Sequence, residues 1–397
     1  MEPPHDLSLL GGLSPSQFMR RHWQKKPLLV RQAIPGFKPL LSAAQLFALA
    51  GHSEVESRLV THNAAQRGQA HWQLRRGPFS RRSLPPLAQP GWTLLVQGVD
   101  LHDEAVHGLM QRFRFIPDAR LDDLMISYAS EGGGVGPHFD SYDVFLLQAS
   151  GSRRWQISAQ SDLSLREDVP LKILKRFEPQ QEFMLHAGDM LYLPPGYAHD
   201  GVAVPCTDAK GRPQACMTYS IGFRAPARHE LAAALLSRMA DIVLDKYGDA
   251  PAQLYRDPGQ PASAHPAEVP QALLRFAAQA LAQAQRDPQI LASALGEYLS
   301  EPKAHVWFEA QEGDLLPGWG VRLHPRSRMF YDAQRIFING EAYLARGLDA
   351  RLMRQLADHR GLSATDLARL SAEARQLLGQ WREDGWLQAD PAGVSGG

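Results

Sequence analysis

Glu131-Gly-Gly-Gly-Val-Gly-Pro-His138-Phe-Asp140 decides the reading of this chain, together with Leu191-Tyr-Leu-Pro-Pro-Gly-Tyr-Ala-His199 further on. Side chains two residues apart on a strand point to one face, so His138 and Asp140 can grip one ion from one edge. His199, fifty-nine residues after Asp140, supplies a second imidazole from a distant strand. Two neutral nitrogens and one carboxylate leave three positions open, the donor set of a non-heme Fe(II) centre that takes a cosubstrate and oxygen. Four glycines in the five residues before Pro137 exclude a helix interior and let the backbone approach a ligand closely. A bare His-x-Asp is weak in a chain with fifteen histidines, because a solvated loop histidine and a turn aspartate match it equally well. The glycine run and the Pro194-Pro-Gly196 corner that presents His199 are what raise it to a metal site.

The surroundings read as strands. Asp143-Val-Phe-Leu-Leu-Gln-Ala149 is a buried apolar run, Ser150-Gly151-Ser152 a turn, and Arg153-Arg-Trp-Gln-Ile157 the return strand of a hairpin. Gly188-Asp189 launches a short apolar strand, and Met217 to Arg224 forms a last one. Strands separated by turns from about Leu94 to Arg224 predict a small double-sheet barrel. Arg153 and Arg154 face opposite sides, so only one can enter that barrel, and periodicity alone leaves open which. Phe145 and Trp155 go to the core.

Forty-two basic residues balance forty-two acidic ones, so no global field favours nucleic acid or a membrane surface. Only Cys206 and Cys216 are present, without a Cys-x-x-Cys, and they read as free thiols in a reducing compartment. The first six residues lack the basic and apolar segments of a signal peptide, and no apolar run approaches a membrane span. A cytoplasmic protein is expected.

Ser14-Pro15 opens a helix through about Trp23, Leu28 to Val30 reads as a strand, and Leu46 to Ala50 belongs to a short helix. The arginines Arg75, Arg76, Arg81 and Arg82 are read as a solvated basic loop. Beyond Pro226 the composition shifts. A helix is expected from His229 to about Tyr247 with Leu231, Leu235, Met239 and Ile242 on one stripe, then a break at 257–270. A second helix aligns Leu273, Ala277, Leu281 and Ala284, and a third spans Gln289 to Leu299. Such stripes either cap the barrel or pair with a second copy. The last hundred residues combine a hairpin at Met329–Ile338, an Asn339-Gly340 turn, helices at 350–358 and 363–383 with a break near Ser371, and a closing strand at Trp386-Leu387. Residues 301–397 hold twelve Lys and Arg against thirteen Asp and Glu, a balance that lacks the footprint of phosphate binding.

Taken together, Asp123-Leu-Met-Ile-Ser-Tyr128, the glycine run, His138-Phe-Asp140, Arg153 and the Leu191-to-His199 corner resemble the Jumonji-C oxygenases, specifically the bacterial ribosomal oxygenases of the YcfD type. Phe18-Met-Arg-Arg-His-Trp-Gln-Lys-Lys-Pro-Leu-Leu-Val-Arg31 is similar to the start of that family's chains. The resemblance implies an α+β chain: a double-stranded β-helix barrel of the Jumonji-C, cupin-like kind over 1–226, a helical dimerisation region over 227–300, and a winged-helix domain over 301–397. It implies Fe(II) held by His138, Asp140 and His199, with 2-oxoglutarate and O2 as cosubstrates. The family's basic anchor falls at Arg153 and a hydroxyl contact at Ser127; a guanidinium suits a buried carboxylate because it pairs bidentately and stays charged. The implied reaction is hydroxylation at C3 of an arginine in large-subunit ribosomal protein sixteen. Tyr128, Glu131, Tyr142, Asp143 and Ser220 are the candidate contacts to that side chain. A homodimer is implied, and no direct DNA binding or membrane partner is expected. A histidyl hydroxylase would share the metal and cosubstrate residues. A non-catalytic cupin-like sensor would predict a broken triad and a basic C-terminal domain, and a zinc cupin isomerase gives Arg153 no task.

Overall fold

A computed structural model of the chain describes residues 7–63, 71–208, 210–248, 253–311 and 318–391. The N-terminal six residues, on which the signal-peptide reading rests, lie outside the described residues. The chain divides into two compact units, Met1–Ala225 and Pro226–Gly397.

In the first unit, α1 (Pro15–Arg21) starts at a reciprocal cap. Ser14 Oγ accepts from the Gln17 amide at 3.2 Å, and Gln17 Oε1 accepts from the Ser14 amide at 3.0 Å. There follow β1 (Leu28–Val30), α2 (Ala43–Leu49), β2 (Ser57–Asn63), β3 (His71–Arg76), β4 (Trp92–Val96), α3 (Glu104–Gln111) and β5 (Leu121–Ala129). After the glycine run come β6 (Asp143–Ser150), β7 (Ser152–Ser158), β8 (Gln181–His186), β9 (Met190–Leu193), β10 (Ala198–Val204) and β11 (Cys216–Phe223). The large sheet has the order β1-β9-β6-β11-β5-β4-β2-β3, and the small sheet β10-β7-β8.

Alternation along the strands sorts the two faces. Tyr128, Phe145, Leu147, Tyr219 and Ile221 share one core with Phe18 and Trp23, so the N-terminal segment covers the outer face of the large sheet. Phe18 sits 5.0 Å from the Tyr192 ring and 5.4 Å from Phe145. Burying each such side chain contributes roughly 1.5–3 kcal/mol. On the inner face, Val144, Leu146, Leu191 and Leu193 join Trp155, Ile157 and Leu185 of the small sheet in a second core. Ala129, Ala203 and Cys216 form a third cluster, again spanning both sheets. These contacts make the two sheets a barrel.

The large sheet extends further than expected. The chain before Leu94 adds β2 and β3, and Arg75 and Arg76 end β3 rather than lying in a loop. Their strand is an edge, where charged side chains are compatible with pairing on one side only. Arg81 leads a short 3-10 turn, its guanidinium 4.8 Å from the Phe47 ring.

In the second unit, α4 (Arg228–Tyr247), α5 (Gln271–Arg286) and α6 (Pro288–Ser300) precede β12 (Gly320–Leu323), β13 (Met329–Tyr331), β14 (Arg335–Ile338) and β15 (Glu341–Leu344). Then come α7 (Gly347–His359), β16 (Gly361–Leu362), α8 (Ala364–Ala368), α9 (Ala372–Glu383) and β17 (Leu387–Asp390). Met239 of α4 packs on Ile290 and Ala294 of α6, with Leu235 and Ile242 alongside, which accounts for the apolar stripe. Gly296 lies so close to the Phe337 ring that a Cβ would overlap it, fastening α6 to the β13-β14-β15 sheet. Asn339 and Gly340 turn the chain with φ of 49° and 93°, the positive values a two-residue hairpin turn demands. Ser371 caps α9 by accepting from the Ala374 amide, which is where the long helical stretch breaks. Among the described residues no helix is long and apolar enough to cross a membrane.

Candidate active site

The glycine run threads alongside β10. Gly132 N donates to Ala203 O at 2.8 Å, and Ala203 N donates to Gly133 O at 2.9 Å. A Cβ on Gly134 would lie 2.7 Å from the Gly201 carbonyl, so only glycine allows this approach. The run delivers His138 to His199, with which it exchanges two backbone hydrogen bonds of 2.9 and 2.8 Å. Gly196 of the Pro-Pro-Gly corner donates to the Asp140 carbonyl at 2.7 Å, tying both halves of the motif together.

His138, Asp140 and His199 each offer one ligand atom, and these atoms lie within 4.8 Å of one another. His199 Nε2 is 3.6 Å from Asp140 Oδ2. The Nδ1 of His138 lies 2.8 Å from Gly136 O, and that of His199 2.8 Å from Tyr197 O. A carbonyl only accepts, so each Nδ1 carries the proton and each Nε2 presents a lone pair toward the carboxylate. Burial, with the neighbouring His138, lowers the His199 pKa to about 4, which keeps the imidazole in its neutral, ligating form. Trp155 walls this side, its ring 5.7 Å from His199. Two neutral nitrogens and one carboxylate, converging from the segment between β5 and β6 and from β10, fit a divalent metal with open positions.

Deeper in the barrel, Arg153 is 4% exposed. Its Nε donates to Cys216 Sγ at 3.3 Å and its Nη1 to Gly201 O at 3.4 Å, while Nη2 is buried with no partner among the described residues. A buried guanidinium cannot shed its charge, so an unmatched amino group in a barrel interior calls for an anion. Arg154 points the other way, 3.5 Å from Glu182 at the surface. Ser127 shares the inner face and is buried, its Oγ donating to Thr218 O at 3.4 Å.

The five candidate substrate contacts separate. Tyr142 adjoins the triad: burial, then the carboxylates of Asp140 and Asp123, raise its hydroxyl pKa. Ser220 lies on the inner face, paired across to Met125 and Leu146. Tyr128 does not belong here. It sits on the outer face, its ring 5.0 Å from Phe47 and 5.7 Å from Trp92, because strand parity turns it away from Ser127. Asp143 is likewise a core residue: fully buried, it accepts from the Tyr192 hydroxyl at 2.6 Å and from Gln24 at 3.0 Å, and pairs with Arg120 at 3.2 Å. Glu131 stands exposed at the start of the glycine run. Sequence reasoning missed Asp123, whose Oδ1 and the Tyr142 ring both border the bare Cα of Gly222. Its signal was parity: Asp123 and Ser127 are four apart on one strand.

A family model described as the JmjC domain matches residues 108–231, and one described as a ROXA-like winged helix matches residues 280–388. The fold and site thus define a JmjC oxygenase with a cupin-like barrel and a C-terminal winged helix. The chain is 38% identical over 290 residues to the ribosomal protein uL16 3-hydroxylase of Escherichia coli (strain K12), covering 72% of this chain and 71% of the relative. It is 34% identical over 225 residues to a probable ribosomal oxygenase of Haemophilus influenzae, covering 56% of this chain and 52% of the relative. The structure superposes on that of E. coli YcfD with a TM-score of 0.79 at 31% identity, over 95% of this chain and 98% of that one. A further YcfD structure, in complex with cobalt and 2-oxoglutarate, matches with a TM-score of 0.75 at 30% identity and the same coverage. The chain belongs to the JmjC ribosomal oxygenases. It is accordingly an Fe(II)- and 2-oxoglutarate-dependent enzyme.

Proposed function

We propose that this enzyme hydroxylates C3 of an arginine side chain in ribosomal protein uL16, with His138, Asp140 and His199 holding iron and Arg153 and Ser127 receiving 2-oxoglutarate. The observation that carries the reading is the pairing, inside one barrel, of the three converging ligand atoms with a buried guanidinium whose Nη2 has no partner among the described residues. Bound iron would supply the redox chemistry that couples oxidation of 2-oxoglutarate to insertion of oxygen into a C–H bond. The protein's own residues position. The two Nδ1–carbonyl contacts orient the imidazoles, Arg153 fixes the far carboxylate of the cosubstrate, and Trp155 excludes water beside His199.

The choice of uL16 and of C3 follows the uL16 3-hydroxylase at 38% identity, and the choice of arginine follows the family resemblance of the motifs. Local support comes from Tyr142, Ser220 and the buried Asp123, a carboxylate on the inner face suited to a planar guanidinium. Asp123 takes the part first given to Asp143. Peptides carrying Arg, Lys or His at the target position test this: a sixteen-dalton gain on the Arg peptide alone is expected. Oxidation of the His peptide in preference would replace the reading with a histidyl hydroxylase.

In this reading residues 1–226 catalyse, 227–300 pair two copies, and 301–397 contact protein rather than DNA. Leu273, Leu274 and Leu281 of α5 and Leu236 and Leu244 of α4 are all exposed, the kind of face that a second copy covers. Sedimentation at micromolar concentration should show a dimer. A ribosomal-protein substrate and two free cysteines support the reading of a cytoplasmic enzyme.

A further inference from the structure

The closed end of the barrel holds Arg153 through an unusual acceptor. Its Nε donates to a thiol, Cys216 Sγ, at 3.3 Å, and the same sulfur accepts a second N–H from Gln148 Nε2, also at 3.3 Å. Gln148 is itself fixed on three sides. Its Nε2 donates to Ser150 O at 2.8 Å, its Oε1 accepts from Thr218 Oγ1 at 3.0 Å, and its backbone amide donates to Asp189 O at 2.9 Å. Gln148, Thr218 and Cys216 are all buried, and the small neighbours Ala129 and Ala203 leave the room that the sulfur fills.

A guanidinium is a flat fork of five donors, so whatever takes its Nε proton sets the direction in which its amino groups point. We propose that Cys216, held by Gln148, is a positioning residue that turns the Nη2 of Arg153 toward the cavity and thereby sets the affinity for the distal carboxylate of the cosubstrate. The inference rests on the assignment of Arg153 to 2-oxoglutarate. It makes a thiol outside the metal site part of the machinery for cosubstrate selection, since a 2-oxo acid lacking the distal carboxylate gains nothing from it.

Calorimetric titration of the full-length protein, loaded with manganese(II) under anaerobic conditions, measures this without turnover. The two ligands are 2-oxoglutarate and 2-oxobutyrate, which keeps the chelating end but has no distal carboxylate. Cys216→Ala is expected to weaken 2-oxoglutarate about fivefold to tenfold, the effect of one hydrogen bond of ordinary net strength acting through the guanidinium, and to leave 2-oxobutyrate unchanged. Cys216→Ser, which retains an acceptor, should recover part of the loss. Gln148→Leu should show a smaller loss of the same selectivity, so the inference stays testable if Cys216→Ala fails to fold. Adding Cys216→Ala to Arg153→Ala should cost nothing further, because the sulfur acts only through the guanidinium. Equal weakening of both ligands, an additive double variant, or an unchanged 2-oxoglutarate affinity in Cys216→Ala would overturn the proposal. A wild-type protein that binds neither 2-oxo acid overturns the cosubstrate assignment itself, and this inference with it.

Discussion

On the outer face of β5, β6 and β11, Tyr128, Phe145, Leu147, Tyr219 and Ile221 press against the N-terminal segment, and the face is apolar apart from Asp143. On the inner face of the same strands stand Asp123, Ser127, Gln148, Thr218 and Ser220, every one of them buried. A buried polar group costs on the order of 1–3 kcal/mol when left unmatched, so a polar interior persists only where its groups are bonded or await a ligand. Gln148, Thr218 and Ser127 are bonded, and Asp123 Oδ2 accepts from the Gly98 amide at 3.0 Å. Arg153 is matched on two of its nitrogens and open on the third. One residue parity therefore builds the main core, and the other carries the chemistry beside a smaller second core.

The sharpest way to break that comparison is to remove a ligand from the inner side. His138→Ala, Asp140→Ala and His199→Ala should each reduce succinate release below detection while circular dichroism reports an intact fold, because a facial set missing one donor loses metal affinity. Near-normal turnover in any one of them removes that residue from the metal set.

The next largest contrast lies between two adjacent arginines. Arg153→Ala deletes a buried partner of a carboxylate and should weaken 2-oxoglutarate by about 2–5 kcal/mol, whereas Arg154→Ala should change it little. Arg154 is partly exposed and its Glu182 neighbour more so, a pair of small value. Equal defects in the two variants would mean that the hairpin presents both faces to the cosubstrate, and the parity argument would fail.

Two aspartates sharpen the comparison further. Asp143→Asn, on the outer face, should cost about 1–3 kcal/mol of stability by leaving Arg120 unpaired, seen as a lower Tm with an unchanged peptide KM. Arg120 is partly exposed, which keeps this below the loss of a fully enclosed pair. Asp123→Asn should do the reverse, raising the KM for the arginine peptide with little change in Tm. A peptide KM that follows Asp143 instead would restore it as a substrate contact.

Ser127→Ala is the mildest change. Its single hydroxyl proton must leave Thr218 O, 3.4 Å away, to reach the cosubstrate carboxylate, so the net gain is about 0.5–1.5 kcal/mol and the 2-oxoglutarate KM should rise by about tenfold at most.

Much of this was legible beforehand because it is local. Spacing of two put His138 and Asp140 at one site, although they lie between β5 and β6 with His138 in an isolated bridge to His199; Ser14-Pro15 announced the first helix, and Asn339-Gly340 announced a hairpin. Each depends on backbone geometry within a few residues, which composition reports directly. The edge hairpin β2-β3 was not legible, since it joins the sheet only through the pairing of β2 with β4, a strand later in the chain. The same limit misplaced Tyr128 and Asp143. They lie beside the motif in sequence, but which face of a strand meets the other sheet depends on how β5, β6 and β11 register against one another and on what covers them. Sequence alone determined the metal donors, the hairpin with its two arginines and the break near Pro226 where the second compact unit begins. Only the tertiary structure decided that Arg153 is the buried one, that Cys216 and Gln148 hold it, and that Asp123 replaces Asp143 beside Tyr142, because those outcomes depend on contacts between strands that the chain brings together only on folding.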